Sequence, residues 1–266
     1  KIFESMDVPE EAKDVCRNWF FKISSIRELI GRLYVEMSIL TCNEYLISDR
    51  KTLVGNFKRL ARTIRGIGDP LVATYARTYL ARKCVELIPN ESELLMELFS
   101  DFLETNRQMQ SELFGKYLVK IEMTHDQYLD LFQPAVEWIL EAIAASCASG
   151  GIPQSVLFNQ ALSLYEQHPL CHHCFVLDAI VGAFGSDLIS QNASVLVNMI
   201  LESKGQMPKH YALKTLGEKL AQYPPKGKDQ LLLLNLIWQH VAEVESLSEY
   251  MQLAEVYTEY VSKAHS

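Results

Sequence analysis

The sequence predicts an all-α protein, an α-solenoid of stacked antiparallel helix hairpins of the HEAT type, and three observations carry that expectation. Apolar residues recur at i, i+3, i+4 and i+7 along most of the 266 residues. Proline, glycine and capping residues cut this pattern into helix-sized segments joined by short breaks. No pair of alternating segments flanks a hairpin turn anywhere. The breaks are loosely compatible with repeats of about 40 to 47 residues, and a globular bundle is the other packing open to such helices. No composition shift marks a boundary, so residues 1–266 read as one helical segment.

Composition narrows the function. A hydrophobic share of 48% with 22% charged residues is ordinary globular usage and excludes disorder. The net charge of −8 argues against broad binding to nucleic acid or anionic membrane, both of which need a basic surface. No apolar run reaches about 18 uncharged residues, so no membrane-spanning helix is expected. The chain opens on Lys1 without a signal-peptide pattern and is expected to be a stretch of something longer.

Asp7-Val8-Pro9-Glu10-Glu11 is a helix start, with a cap, a proline and first-turn acids. This first helix is expected to reach about Ile23 and to bury Val15, Trp19, Phe20 and Ile23. The next is capped by Ser24 or Ser25, carries its apolar stripe within Ser24–Leu40, and ends near Tyr45 or Leu46. Its stripe is Ile26, Leu29, Ile30, Leu33, Met37 and Leu40. Gly31 interrupts it, since glycine costs roughly 1 kcal/mol in a helix interior, and Arg32 and Tyr34 follow, facing away from the stripe. Arg32 can pair with Glu28 or Glu36 as an exposed ion pair worth about 0.3 to 0.5 kcal/mol.

Ser48 or Asp49 caps a third helix through Leu53, Phe57, Leu60 and Ile64, which stops at Gly66 and Gly68. Lys58, Arg62 and Arg65 form a basic stripe on it, read by default as a solvated face. Asp69 then caps a helix whose first residue is Pro70 and which buries Leu71, Tyr75, Tyr79 and Leu80. After Pro89-Asn90, a helix from Ser92 runs through Leu95, Leu98, Phe99, Phe102 and Leu103. Its far face carries Glu93, Glu97, Asp101 and Glu104, read as solvated acids, because acid/base catalysis needs a sheltered pocket.

The stretch from Gly115 to Met123 is open between loop, short helix and strand. Thr124 and Gln127 have capping-box spacing ahead of Tyr128, Leu131 and Phe132. Pro134 marks a kink or a new start, with Val136, Trp138, Ile139 and Ile143 buried and Ala144 and Ala145 permitting close contact. Ser149 to Pro153 is a turn that matches no phosphate-binding loop. Beyond it, helices of roughly 12 to 16 residues are separated at His168-Pro169, Gly185-Ser186, Gly205 to Pro208 and Pro224 to Gly227. The last, from Ser246 or Ser248 to about Ala264, presents Leu253, Val256, Tyr257 and Tyr260.

Cys16, Cys42, Cys84, Cys147, Cys171 and Cys174 lack the density of a disulfide scaffold and read as reduced thiols. Cys171, His172, His173 and Cys174 are zinc-type ligand residues, and a helical metalloenzyme is the reading they would support. Four nearly consecutive residues cannot converge tetrahedrally, however, so buried cysteines beside surface histidines are expected, with no metal.

The segments RNWFFKISSIRELIGRLYVEMSIL (17–40) and RTIRGIGDPLVATYARTYLAR (62–82) closely resemble the vacuolar protein sorting-associated protein 35-like family. Its members are large scaffold subunits of the retriever complex, and the retromer large subunit is a more distant relative. Weaker similarity continues through FQPAVEWI (132–139), MPKHYALKTLG (207–217) and AEVYTEY (254–260). The family motif of proline, arginine, an apolar or aromatic residue and tyrosine stands here as Gly31, Arg32, Leu33 and Tyr34. Proline would enforce a kink that glycine only permits.

The resemblance implies a non-catalytic scaffold without cofactors, cytoplasmic and held on endosomes only through its complex, where it returns membrane-protein cargo to the cell surface. It implies that residues 1–90 dock an arrestin-fold subunit with Arg32 leading, and that Arg65, Gly66, Asp69 and Pro70 form a structural corner beside it. A metallophosphoesterase-fold subunit would bind a later part of a longer chain. The retromer large subunit itself and a generic helical-repeat adaptor are the alternatives.

Overall fold

The computed structural model describes residues 10–42, 50–149, 151–204, 207–225 and 229–264. Among them the regular elements are helical, apart from one isolated parallel bridge between His173 and Lys204. In order they are α1 (Glu10–Ser24), α2 (Leu29–Ser38), α3 (Arg50–Ile64), α4 (Pro70–Leu87), α5 (Ser92–Met109), α6 (Glu112–Lys120), α7 (His125–Asp130), α8 (Gln133–Ala145), α9 (Gln154–Gln167), α10 (Cys174–Ala183), α11 (Ser186–Gln191), α12 (Ala193–Glu202), α13 (Lys209–Gln222), α14 (Asp229–Val241) and α15 (Leu247–Ala264). Short 3-10 turns lie at Ser146–Ser149 and Pro169–Cys171.

These helices form two layers, as stacked hairpins require. In one, α4, α8, α10, α13 and α15 each pack on the next. In the other, α5 sits against α4 and α8, α9 against α8 and α10, α12 against α10 and α13, and α14 against α13 and α15. Neighbours in the first layer run parallel, because their contacts advance together. Thr78 Oγ1 donates to the Ala135 carbonyl (3.0 Å) while Arg82 covers Trp138, and His210 meets Glu249 while Lys214 donates to Gln252 (3.2 Å). The chain returns through the second layer between them, and this makes an α-solenoid.

One core runs from Leu33 to Tyr260. The most apolar helix, α10, lies mid-stack and buries Phe175, Val176, Leu177, Ile180 and Val181. A helix apolar on nearly all sides belongs there. At the α13–α15 joint, Gly217 brings the backbone so close that an added Cβ would fall 2.6 Å from Val256 and 3.0 Å from Tyr257. Tyr257 is buried there and donates to the Leu213 carbonyl at 2.6 Å.

Several expectations are corrected. Ser24 and Ser25 do not cap the second helix; their hydroxyls donate to the Phe21 and Lys22 carbonyls at the end of α1. Glu28 is the cap, accepting from the Ile30 and Gly31 N–H groups, so α2 starts at Leu29 and Gly31 lies in its first turn rather than interrupting it. Val15 and Trp19 are exposed, Trp19 by 60%, because among the described residues the main packing of α1 is on α2. Ile30, Leu131 and Trp138 also face solvent. The open stretch after Gly115 is α6, capped by Ser111, and it ends before Glu122, whose φ is 55°. The segment after Gly185 divides at Asn192 into the short α11 and α12, below the expected lengths. The capping box of Thr124 and Gln127 forms, and Pro134 sits in the first turn of a new helix. The start at Asp7 to Pro9, the end near Tyr45 or Leu46, the caps Ser48 and Asp49, and the breaks at Gly205 and at Lys226-Gly227 fall outside the described residues.

Candidate protein-docking site

The site begins with what the start of α2 does to four consecutive residues. Gly31 N–H points at the Glu28 carboxylate, and a Cβ at Gly31 would meet the same oxygen at 2.6 Å. Leu33 is 1% exposed and belongs to the core. Tyr34 is half-buried, its ring 6.0 Å from that of Tyr79 on α4, and burial raises its phenol above the ordinary value. Of the four, only Arg32 offers a charged group to an approaching surface, with its side chain 32% exposed. The outward pair of the sequence reading is therefore one outward residue and one that leans on α4.

Arg32 is held without being consumed. Its Nε lies 3.6 Å from Glu36, one turn on, while Arg59 of α3 takes the other Glu36 oxygen at 2.7 Å. Glu36 is 13% exposed, so one sheltered carboxylate anchors two guanidinium groups. The Arg59 contact is the tighter of the two. Exposed pairs of this kind are worth about 0.2 to 1 kcal/mol and orient a side chain more than they stabilise a fold. The Glu36 pairing follows from i, i+4 spacing; Arg59 comes from another helix, and no local signal marks it.

The basic stripe is not a free face. Lys58 reaches Glu93 at 3.1 Å, and Arg65 reaches Glu97 at 2.7 Å and Asp101 at 2.8 Å. Three of the α5 acids, Glu93, Glu97 and Asp101, are thus partners of the basic row across α4, while Glu104 meets His168 at 3.1 Å and, among the described residues, Arg62 stays exposed without such a contact. The hydrogen bond to Asp101, with the neighbouring negative charges, raises the Arg65 pKa. Behind this row Arg77 is buried and donates to Thr105 at 2.9 Å, and burial lowers its pKa to about 10.

Asp69 and Pro70 do form a corner. Asp69 accepts from the Val72 N–H at 2.9 Å with Pro70 following as the first helical residue. The hydroxyls of Tyr117 and Tyr128 also donate to the Asp69 carboxylate, at 3.2 and 3.3 Å, so α6 and α7 are pinned to the start of α4. Burial first, then that carboxylate, pushes both phenols up. Arg65 and Asp69 both lie in the turn joining α3 to α4, and α2, which carries Arg32 and Tyr34, packs on both of those helices.

The cysteine-histidine run has other uses. Cys171 is buried and donates to the Leu103 carbonyl at 3.0 Å, while burial pushes the Cys174 thiol up to about 11. His172 stacks on Tyr165, and His173 stacks on Phe175 with both ring nitrogens buried and unpartnered. The histidines are thus half-buried rather than on the surface. Lys204 joins the His172 carbonyl and the Cys174 N–H to form the isolated bridge. Among the described residues no three His, Cys, Asp or Glu side chains are grouped to hold a metal, and no helix is long and apolar enough to cross a membrane.

A family model described as VPS35L matches residues 1–131, and one described as the VPS35L C-terminal domain matches residues 159–266. Curated relatives called VPS35 endosomal protein-sorting factor-like are similar along almost the whole chain. The Rattus norvegicus protein is 37% identical over 98% of this chain and 27% of its own length. The Homo sapiens protein is 36% identical over 98% and 26%, and that of Dictyostelium discoideum 34% over 95% and 25%. The chain spans about a quarter of the length of these relatives. With both models of one family matched in order on a helical stack, the chain belongs to the VPS35L family.

Proposed function

We propose that this chain is a non-catalytic scaffold segment of a retriever-type endosomal recycling complex, and that it docks the complex's arrestin-fold subunit through α2 and the corner between α3 and α4. The relatives' name describes endosomal protein-sorting factors, and a sorting factor works with protein partners in an assembly. The observation that carries the docking reading is Arg32. It is presented from the first turns of a helix, steered by a carboxylate already shared with Arg59, and flanked by the aromatic pair Tyr34 and Tyr79. Arginine beside aromatic side chains is the composition in which binding energy concentrates. Gly31 and Leu33 would act behind this surface, the first by its N–H in the cap and the second by filling the core. Arg65, Asp69 and Pro70 would hold the helices at the angle the partner meets.

The mechanism is geometric. A stack in which each helix touches only near neighbours fixes the distance between its docking points. By this reading, membrane recruitment comes through the assembled complex, and a metallophosphoesterase-fold subunit binds elsewhere on a longer chain.

The test is the Arg32→Glu variant in a pull-down with the purified arrestin-fold subunit. Reversing a charge at a desolvated contact costs more than about 2 kcal/mol, so binding should fall by more than about thirtyfold with helix content unchanged. Binding equal to the wild type removes the docking assignment and leaves only the architecture. Running the arrestin-fold subunits of retriever and retromer side by side separates the two assemblies.

A further inference from the structure

The α4–α8 valley is filled from one side by α5, which packs on both helices. Its solvent side is an open groove of about 290 Å³ lined by Arg82, Val85, Trp138, Glu141, Ala142 and Ala145. Small alanines at the floor let another backbone approach closely, since the distance between packed helices follows the side chains between them. The valley is therefore closed by a helix on one side and open on the other.

The rim carries the chemistry. Arg50, Lys58 and Arg59 on α3, Arg65 just beyond it and Lys83 on α4 each pair with a carboxylate, while among the described residues Arg62 of α3 does not. Arg82 is exposed, and among the described residues no carboxylate pairs with it. Its guanidinium instead lies 5.4 Å over the ring of Trp138, itself 40% exposed. A cation–π contact holds the group in place without neutralising its charge. In a chain of net charge −8 this is an unspent positive site against an exposed indole, the two side-chain types most enriched among binding hot spots. Glu141 on the same rim repels acid at its own position, which gives the groove a polarity.

We infer that this valley is a second protein-docking groove, and that its occupant is an amphipathic α-helix of another protein carrying an Asp or Glu opposite Arg82 and apolar side chains over Ala142 and Ala145. Laying the apolar face of a helix into a groove between two helices is a recurrent mode of recognition. The site is separate from Arg32 and does not depend on the arrestin-fold reading.

The test uses the whole chain with Trp19→Phe and Trp238→Phe, which leaves Trp138 as the only indole. The probe is a stapled amphipathic Leu/Ala/Glu helix of about four turns, compared with the same peptide bearing Gln or Lys for Glu and with a proline-broken Glu peptide. Trp138 emission should respond saturably to the Glu helix, with affinity at least about tenfold above the Gln helix. Arg82→Glu should invert the order toward the Lys helix, Ala145→Arg should remove binding by filling the floor, and Arg32→Glu should leave it unchanged. Circular dichroism checks that each variant keeps its helix content. Equal affinity for Glu and Gln helices, an order unchanged by Arg82→Glu, equal binding of the proline-broken peptide, or no saturation overturns the inference.

Discussion

Gly31 owes its role to the Glu28 carboxylate that receives its N–H. In the first turn of a helix that N–H has no intrahelical acceptor, so proline is tolerated there, whereas mid-helix it costs about 3 kcal/mol. Gly31→Pro should therefore keep α2 and shift unfolding free energy by no more than about 1 kcal/mol, the scale of one lost cap bond. Urea denaturation measures it, and a loss near the mid-helix cost would contradict the placement. Gly217 is the opposite case, since Val256 and the Tyr257 ring occupy the space a methyl would need. Gly217→Ala should destabilise by about 1 to 3 kcal/mol despite alanine's better helix propensity, read as a fall in Tm. Two half-buried groups set opposing pH trends. Burial lowers the His173 pKa, so the native state binds fewer protons than the unfolded one. Stability present above the unfolded value of about 6.5 is then lost as pH falls. Burial raises the Asp178 pKa, so that carboxylate costs stability at neutral pH and the cost fades on acidification. Tm measured from about pH 7 down to pH 5 should fall less steeply in His173→Phe, and Asp178→Asn should raise the neutral Tm by a few degrees, the scale of about 1 kcal/mol in a domain of this size. Sequence gives Asp69 as a cap outright, but nothing local gives Tyr117 and Tyr128, which arrive from 48 and 59 positions away.

Helices were legible where local chemistry decides them. The Thr124 capping box, Pro70 as first residue and the stripes of α3 and α5 act over one or two turns, and they formed as read. What failed involved the other side of an element. Val15 and Trp19 continue an apolar stripe yet are exposed, and Trp138 stays 40% exposed beneath the Arg82 guanidinium of α4, because periodicity tells which residues share a face and not what faces them. The charged rows of α3 and α5 were read correctly as rows and as largely exposed, but their pairing was not read, since that mating depends on how both helices flank α4. Arg65 with Glu97 and Asp101 is exposed enough for salt to screen it. Arg65→Gln should lower Tm at low ionic strength by the equivalent of less than about 1 kcal/mol, and the difference should shrink near 1 M salt, where screening acts over about 3 Å. A difference that persists undiminished would place its origin in packing.

Across the whole molecule, stability should follow position in the stack. The inner helices α8, α10 and α13 have neighbours on both sides in their own layer, while among the described residues α1 rests chiefly on α2. In stacked repeats the terminal units open first, because stability is the sum of each unit and its adjoining interfaces. Hydrogen exchange should be slowest in α10 and fastest in α1, and uniform protection along the chain would argue for a single all-or-none body. The solenoid class was readable from periodicity and breaks, but its parallel layer was not, because that order emerges only from contacts such as Thr78 with Ala135 and Lys214 with Gln252.

The close approach at Gly217 has a consequence beyond its own joint. Each seam of the parallel layer works as a pivot, so a tilt of a few degrees there swings everything farther along by an amount that grows with the length of the arm. Residues remote from the proposed docking surfaces would in this way set the angle between the two ends of the stack. A methyl group at Gly217 would register as a changed angle between them, visible by small-angle scattering, even where every handhold is intact.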